Sequence, residues 1–353
     1  MGRRKIAGIA AACLLAIAGG AAGSVRAANV DTPYIAEQAI GKAPKMEVYM
    51  TGSKMAESAK VSGTIESMNF IMDGDIVSFE ESGKGISYII LMDNSGSVNN
   101  EQFDEAKNQL ISLRKSLKEG DGMALYTVGT DSPSGEKSQV FSRSVGAKDK
   151  KDKKSDCGKI RDIPYLKGVE SKTVLYRSLN QVLKEQASPD MRTVVVLITD
   201  GEDDSKGKDI DNVSTAKTVK EASVPVYGIL LDRKPTKSGN AAEQDEKISY
   251  TRNKILAEKN CRGYYYDCSV DGTAESVKQA FETIRTILQK ETWVVNLKAP
   301  TNRTAGRNQL ALIVDNTAVD KVSVDYSDYE EDRDAPAFVG TVEEDGGNSI
   351  TFS

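Results

Sequence analysis

Two apolar runs in this sequence end in clusters of oxygen-bearing side chains. Ile86-Ser87-Tyr88-Ile89-Ile90-Leu91-Met92 leads directly into Asp93-Asn94-Ser95-Gly96-Ser97. Thr193-Val194-Val195-Val196-Leu197-Ile198-Thr199 leads into Asp200-Gly201-Glu202. Carboxylates and small hydroxyls are hard donors, the set that Mg²⁺ accepts in octahedral geometry while keeping some of its water. A loop leaving a strand as Asp-x-Ser-x-Ser folds three such groups toward one point, and Gly96 permits the sharp path. In open α/β sheets ligands bind beyond the carboxyl ends of strands, where the strand order reverses. With the order 3-2-1-4-5-6, the reversal falls between the Asp93 strand and the Asp200 strand and brings the two acids together.

The composition narrows the chemistry. There is no histidine among the 353 residues. That removes Ser-His-Asp and Cys-His catalysis, His-ligated zinc and the common proton shuttle near neutral pH. Three scattered cysteines beyond the first segment do not make a four-thiolate zinc site, so any metal is held by oxygen. No Gly-rich Walker-type loop for phosphate is present.

The first 27 residues read as a secretory signal. Arg3, Arg4 and Lys5 form the basic start, residues 6–18 the apolar stretch, and Val25-Arg26-Ala27 a cleavage site. Export on this signal places the protein outside the cell or on its surface. Arg3, Arg4, Lys5 and Arg26 leave with that segment, so the remainder has 43 Lys+Arg against 52 Asp+Glu, a net charge near −9. That balance disfavours nonspecific nucleic-acid binding and suits divalent cations. An exported chain permits disulfides. Cys261 and Cys268 flank a short segment and could bridge, and Cys157, placed in a loop, could pair with either; the spacing does not choose.

The elements that must position these acids follow from periodicity. Residues 28–44 read as a flexible leader. Residues 45–84 alternate apolar and polar positions in short runs punctuated by Gly and Asp, the pattern of antiparallel strands. From residue 85 strands alternate with helices. The helix over 100–118 carries Phe103, Ala106, Leu110, Leu113 and Leu117 on one face. Helices are expected over 173–187, 210–222, 248–260 and 272–289, and the Lys/Asp run 148–154 as a solvated loop. Alternation of this kind indicates a doubly wound, mostly parallel α/β sheet covered on both faces. Residues 291–334 return to β structure. Residues 335–353 read as the start of a further β domain that stops inside a strand pattern, as if the chain were part of a longer protein. The flanking β segments are each short for a sandwich; they can form one together, with the α/β part inserted, or stand as two unrelated small β modules.

The region 85–290 resembles a von Willebrand factor type A domain, the fold also called the integrin I domain. Its signature is Asp-x-Ser-x-Ser after the first strand, a Thr in a later loop and an Asp after the fourth strand. Here those positions are Asp93, Ser95, Ser97, Thr173 and Asp200, and Thr173-Val174-Leu175-Tyr176 is similar to the family's Thr-x-Leu-Tyr at a helix start. The flanking β segments resemble the arrangement in integrin β subunits. The resemblance implies a metal-ion-dependent adhesion site. Ser95, Ser97 and Thr173 offer hydroxyls, Asp93 and Asp200 act largely through metal-bound water, and one position stays open for an acidic side chain. The implied cation is Mg²⁺, with Mn²⁺ or Ca²⁺ as alternatives. The implied partner is a protein offering a carboxylate, with other surface proteins as candidates and no direct membrane contact within this chain. Glu202, Asp203 and Asp204 beside the site read as a solvated acidic loop, where Glu202 and Asp203 are candidates for an auxiliary metal or ligand contact. In related domains the last helix shifts when metal ligation changes, which here couples 272–289 to the β segment beginning near Trp293. Two other functions compete: a surface assembly component whose metal is only structural, and a metal-dependent hydrolase with Glu202 as its one convenient base.

Overall fold

The computed structural model describes residues 34–42, 45–52, 59–65, 71–144, 150–167, 171–186, 190–208, 210–234, 241–298 and 307–325. The signal segment and residues 335–353 lie outside them. Four strands come first: β1 (Ile35–Lys42), β2 (Lys45–Thr51), β3 (Val61–Ile65) and β4 (Ile71–Ser78). A helical turn, α1 (Phe79–Ser82), leads to β5 (Ser87–Met92), α2 (Asn100–Ser116), β6 (Gly122–Thr127), β7 (Gly129–Thr130), β8 (Ser138–Ser144) and α3 (Lys150–Arg161). Then come β9 (Lys172–Thr173), α4 (Leu175–Glu185), β10 (Thr193–Thr199), α5 (Asn212–Lys220), β11 (Val226–Leu230) and α6 (Ala241–Tyr250). After a π-helical turn over Thr251–Ile255 follow α7 (Glu258–Cys261), β12 (Arg262–Asp267) and α8 (Ala274–Lys290). The last strands are β13 (Thr292–Lys298), β14 (Arg307–Val314) and β15 (Thr317–Asp325).

A six-stranded sheet runs in the order β12-β11-β10-β5-β6-β8, parallel throughout except for β8. The direction of winding reverses between β5 and β10, where Met92 lies opposite Ile198 and the Asp93 N–H bonds the Ile198 carbonyl at 2.7 Å. Successive side chains of a strand point to opposite faces. Accordingly Tyr88, Ile90 and Met92 join Val194, Val196 and Ile198 in the core beneath α2 and α8. Ile89 and Leu91 join Val195 and Leu197 beneath α4 and α5. This is the doubly wound α/β sheet that the alternating pattern indicates.

The remaining long strands make one antiparallel seven-stranded sheet, β1-β2-β13-β4-β3-β14-β15. Strand β13, which follows the α/β part, lies between β2 and β4, which precede it. The sheet encloses its own core of Met46, Val48, Met50, Val295, Leu297, Leu310 and Leu312. Its edges meet, with the Ala36 N–H of β1 donating to the Asp320 carboxylate of β15 at 2.9 Å. Among the described residues no helix is long and apolar enough to cross a membrane.

Several local expectations are corrected. Part of the supposed flexible leader is β1, paired along its length with β2. Its pattern is masked because Glu37 and Gln38 are polar yet fully buried, at a register shift between Ala36 and Gln38 in which Glu37 is the extra residue. The Lys/Asp run does not stay a loop: residues 150–154 begin α3. That helix is anchored by Asp156, whose carboxylate meets the buried Arg114 at 2.8 Å. The helix expected over 248–260 is broken into a π turn and α7. The π turn is held by Thr251, whose hydroxyl donates to the Gly201 carbonyl at 2.9 Å.

The cysteines are also reassigned. Cys157 sits in α3, not in a loop, and Cys157, Cys261 and Cys268 are all free and buried. Cys261 and Cys268 stand at opposite ends of β12 and pack on opposite faces of the sheet. A six-residue strand is roughly 20 Å long, whereas a disulfide needs Cα atoms within about 7 Å. Alkylation of the native protein should therefore leave all three thiols unmodified, and unfolding should expose all three. A mass-spectrometric peptide map checks this, and a Cys261–Cys268 crosslink would refute it.

Candidate metal centre

The centre is assembled at the carboxyl ends of β5 and β10. Asp93 is fully buried. One of its oxygens accepts the Ser95 N–H at 2.9 Å, and the other accepts the Thr199 hydroxyl at 3.0 Å. The Ser95 and Ser97 hydroxyl oxygens lie 3.0 Å apart. The Thr173 hydroxyl reaches Asp93 at 3.4 Å. Asp200 is 2% exposed, and its Oδ1 accepts the Glu202 N–H at 3.0 Å. The structure thus gathers Asp93, Ser95, Ser97, Thr173 and Asp200, drawn from three separate stretches of sequence.

Each is placed by identifiable neighbours. Thr173 belongs to β9, which pairs with β7 so that Thr173 faces Gly129. Asp204 fixes it from the other side: the Asp204 N–H donates to the Thr173 carbonyl at 2.7 Å, and the Thr173 N–H donates to the Asp204 carboxylate at 3.2 Å. Asn94 binds the Gly129 N–H at 3.0 Å and the Pro164 carbonyl at 3.0 Å. A Cβ on Gly129 would stand 2.5 Å from the Asn94 Oδ1, so only glycine allows this approach. Gly201 turns the chain after Asp200 at φ +88°, a left-handed conformation that glycine adopts without strain.

The electrostatics call for a cation. Burial pushes the Asp93 carboxyl well above its ordinary range, and the facing charge of Asp200 adds to this. Burial raises Asp200 too, with Arg233 opposing. Two carboxylates that cannot both ionise comfortably form a site that a divalent ion would relieve. Asp200 Oδ2 is buried with no hydrogen-bond partner among the described residues, an orphaned acceptor of the kind that needs an explanation. Among the described residues no three acids or thiolates gather closely enough to hold a metal alone, so the hydroxyls are integral to any cation site here. Two acids and three hydroxyls fit a small hard ion such as Mg²⁺ or Mn²⁺ better than the carboxylate-rich cage of a tight Ca²⁺ site.

The acidic loop is not the solvated stretch that its composition suggests. Asp203 is 5% exposed and accepts the Tyr176 N–H at 2.9 Å, the Ser205 hydroxyl at 2.6 Å and the Ser205 N–H at 3.0 Å. It fastens the start of α4. Glu202 is turned toward Arg233, 3.6 Å away. Sequence reasoning also missed Thr199, Asn94, Asp204 and Tyr165. Thr199 alone carried a signal: β10 in register with β5 puts it beside Asp93.

Residues 89–266 match the family model for the von Willebrand factor type A domain, and no curated protein matches the chain. Similar solved structures include the manganese-loaded TRAP protein of Plasmodium vivax, 18% identical, covering 69% of this chain and 90% of that one with a TM-score of 0.39. The ArnB paralog VWA2 from Sulfolobus acidocaldarius is 13% identical, covering 83% and 72% with a TM-score of 0.36. The pilus adhesin SpaC of Lactobacillus rhamnosus GG is 14% identical, covering 83% and 47% with a TM-score of 0.39. The family match spans half of the sequence and takes in all five residues of the centre, which lies where the doubly wound sheet reverses: the chain belongs to the von Willebrand factor type A domain family.

Proposed function

We propose that this protein is an exported, divalent-cation-dependent binding module that holds a protein partner through an acidic side chain. Membership of the family fits a protein-binding or adhesion role. The observation that carries the finer reading is the pair of buried, facing carboxylates, Asp93 and Asp200, with the hydroxyls of Ser95, Ser97 and Thr173 around them. Bound among these groups, a divalent cation supplies a Lewis-acidic position that a partner carboxylate completes. The chain's own residues keep that arrangement ready. Thr199 and the Ser95 amide orient Asp93, Asp204 latches Thr173, and Gly201 turns the backbone so that Asp200 faces inward. A hydrolytic role finds little support, since no histidine is present and Glu202, the acid best placed as a base, is paired with Arg233. The basic, apolar first segment of the sequence supports action outside the cell.

The test uses immobilised protein presented with intact cells and with extracellular matrix. Capture should require Mg²⁺ or Mn²⁺, disappear in EDTA, return on adding the metal, and fail for Thr173→Ala while the far-UV CD spectrum is unchanged. Capture that persists in EDTA would contradict the proposal. Metal-dependent stabilisation with no metal-dependent capture would instead indicate a purely structural cation.

A further inference from the structure

We infer that the rim of this centre reads a second carboxylate of the same partner, near the first in its sequence, through Lys234 and Lys167. This inference rests on the metal-bridged reading above. It begins with the chain leaving β11, which runs beside the metal loop. The Asn99 N–H bonds the Asp232 carbonyl at 2.9 Å, the Lys234 N–H bonds the Ser97 carbonyl at 2.7 Å, and Val98 bridges to Arg233. Lys234 is therefore fixed at the edge of the site by the backbone of the loop that carries Ser97.

Its side chain is equally constrained. Lys234 Nζ donates to the Tyr165 hydroxyl at 2.5 Å and to Asn100 Oδ1 at 2.7 Å, and it stands 4.3 Å from the centre of the Tyr165 ring. The Tyr165 hydroxyl lies 2.8 Å from the Gly96 carbonyl and 2.7 Å from the Val98 carbonyl. The ammonium is thus two hydrogen bonds from the loop between Ser95 and Ser97. An ammonium has three donors, and two are used by neutral groups.

No carboxylate among the described residues pairs with Lys234 or with its exposed neighbour Lys167. Arg233, one residue away, differs: Glu202 lies 3.6 Å from it and Asp245 3.8 Å. Lys167 is held to the same loop through its neighbour, since the Leu166 N–H bonds the Asn94 carbonyl at 2.8 Å. Among the described residues, two ammonium groups without an acidic partner thus crowd the edge of the loop that carries Ser95 and Ser97, in a chain with an excess of acid. A partner anion relieves that crowding. In an extended segment, residues two apart project to the same side, so a peptide of that spacing is a suitable probe.

Fluorescein-labelled heptapeptides with Glu-Thr-Asp, Glu-Thr-Asn, Glu-Thr-Lys or Gln-Thr-Asn at the centre test this, titrated with the full chain in Mg²⁺ and followed by anisotropy. For the wild type, Glu-Thr-Asn should bind about fivefold more weakly than Glu-Thr-Asp, the worth of a good exposed ion pair, with the difference shrinking at high salt. In K167Q/K234Q the two should bind alike, and K234E should prefer Glu-Thr-Lys, a swap that a merely structural lysine would not produce. Gln-Thr-Asn, with no carboxylate at its centre, should fail with every protein. An equal Glu-Thr-Asp preference in wild type and K167Q/K234Q would overturn this inference alone. Absence of any metal-dependent binding by the wild type would overturn the metal-bridged reading and this inference with it.

Discussion

Replacing Arg192 with methionine is expected to cost about 3–5 kcal/mol of folding stability, the penalty for breaking a buried ion pair from one side. Arg192 is 1% exposed and Glu37 0%, and their charged atoms are 3.0 Å apart. The guanidinium also donates to the Leu288 carbonyl at 2.8 Å and to the Thr292 hydroxyl at 2.9 Å, and lies 4.5 Å from the Phe79 ring centre. One side chain therefore ties β1, the end of α8 and the start of β13 to the base of β10. Burial drives the Glu37 carboxyl upward, and Arg192 and the Tyr227 hydroxyl partly offset it. Without Arg192 nothing but Tyr227 compensates, while the Leu288 carbonyl loses its donor. Against a typical total of about 5–15 kcal/mol, that loss is severe. Urea denaturation should show it, and the double variant Arg192→Met/Glu37→Met should recover much of it, because an apolar pair leaves no charge stranded. A single variant within about 1 kcal/mol of wild type would show that the network is not coupled as described.

The second large effect has the opposite sign in metal-free protein. Asp93→Asn should stabilise the chain in EDTA at pH 8 by something on the order of 2 kcal/mol, yet abolish stabilisation by Mg²⁺. The Asp93 carboxyl is raised from 3.8 to about 7, first by burial and then by Asp200. A folded-state value above the unfolded one means that the folded chain holds its proton more tightly. The stability so contributed is complete below about pH 4 and is lost as pH rises through about 7. Asparagine removes that loss. Wild type should recover about 2.7 kcal/mol at a metal concentration one hundred times Kd, whereas Asp93→Asn should recover none. Urea denaturation at pH 5 and pH 8, with EDTA and with Mg²⁺, measures all four quantities. Destabilisation of the metal-free variant at pH 8 would show that Asp93 is not strained by its neighbour.

These two predictions mark the boundary of what the sequence conveys. The centre was legible because its parts are local and chemically distinctive. Asp93, Ser95 and Ser97 follow one apolar run, Asp200 ends another, and Thr173 stands in a recognisable helix start. The sheet was legible because β5 and β10 are buried on both faces and read as continuous apolar runs. The Arg192 network was not, since Glu37 and Arg192 are 155 positions apart and each alone reads as a surface residue. For the same reason β1 passed for a leader: of its buried polar pair, Glu37 is met by Arg192 and the Gln38 side-chain oxygen by the Thr193 N–H at 2.9 Å. The acidic run 202–204 misled in the same direction: three consecutive acids suggest solvent, but Asp203 and Asp204 are bonded to backbone amides that arrive from the start of α4 and from β9. Charge that finds a partner distant in sequence leaves no periodic trace.

Cation binding at the five gathered residues underlies every functional statement made for this protein, and a direct titration decides it. Mn²⁺ added to the metal-free chain and followed by electron paramagnetic resonance should fill a single saturable site. Mg²⁺ should displace it, and Asp93→Asn should weaken it by more than about 100-fold, beyond the loss typical of a supporting residue. Equal Mn²⁺ affinity in wild type and Asp93→Asn, or no saturable site in the wild type, would contradict the metal centre itself.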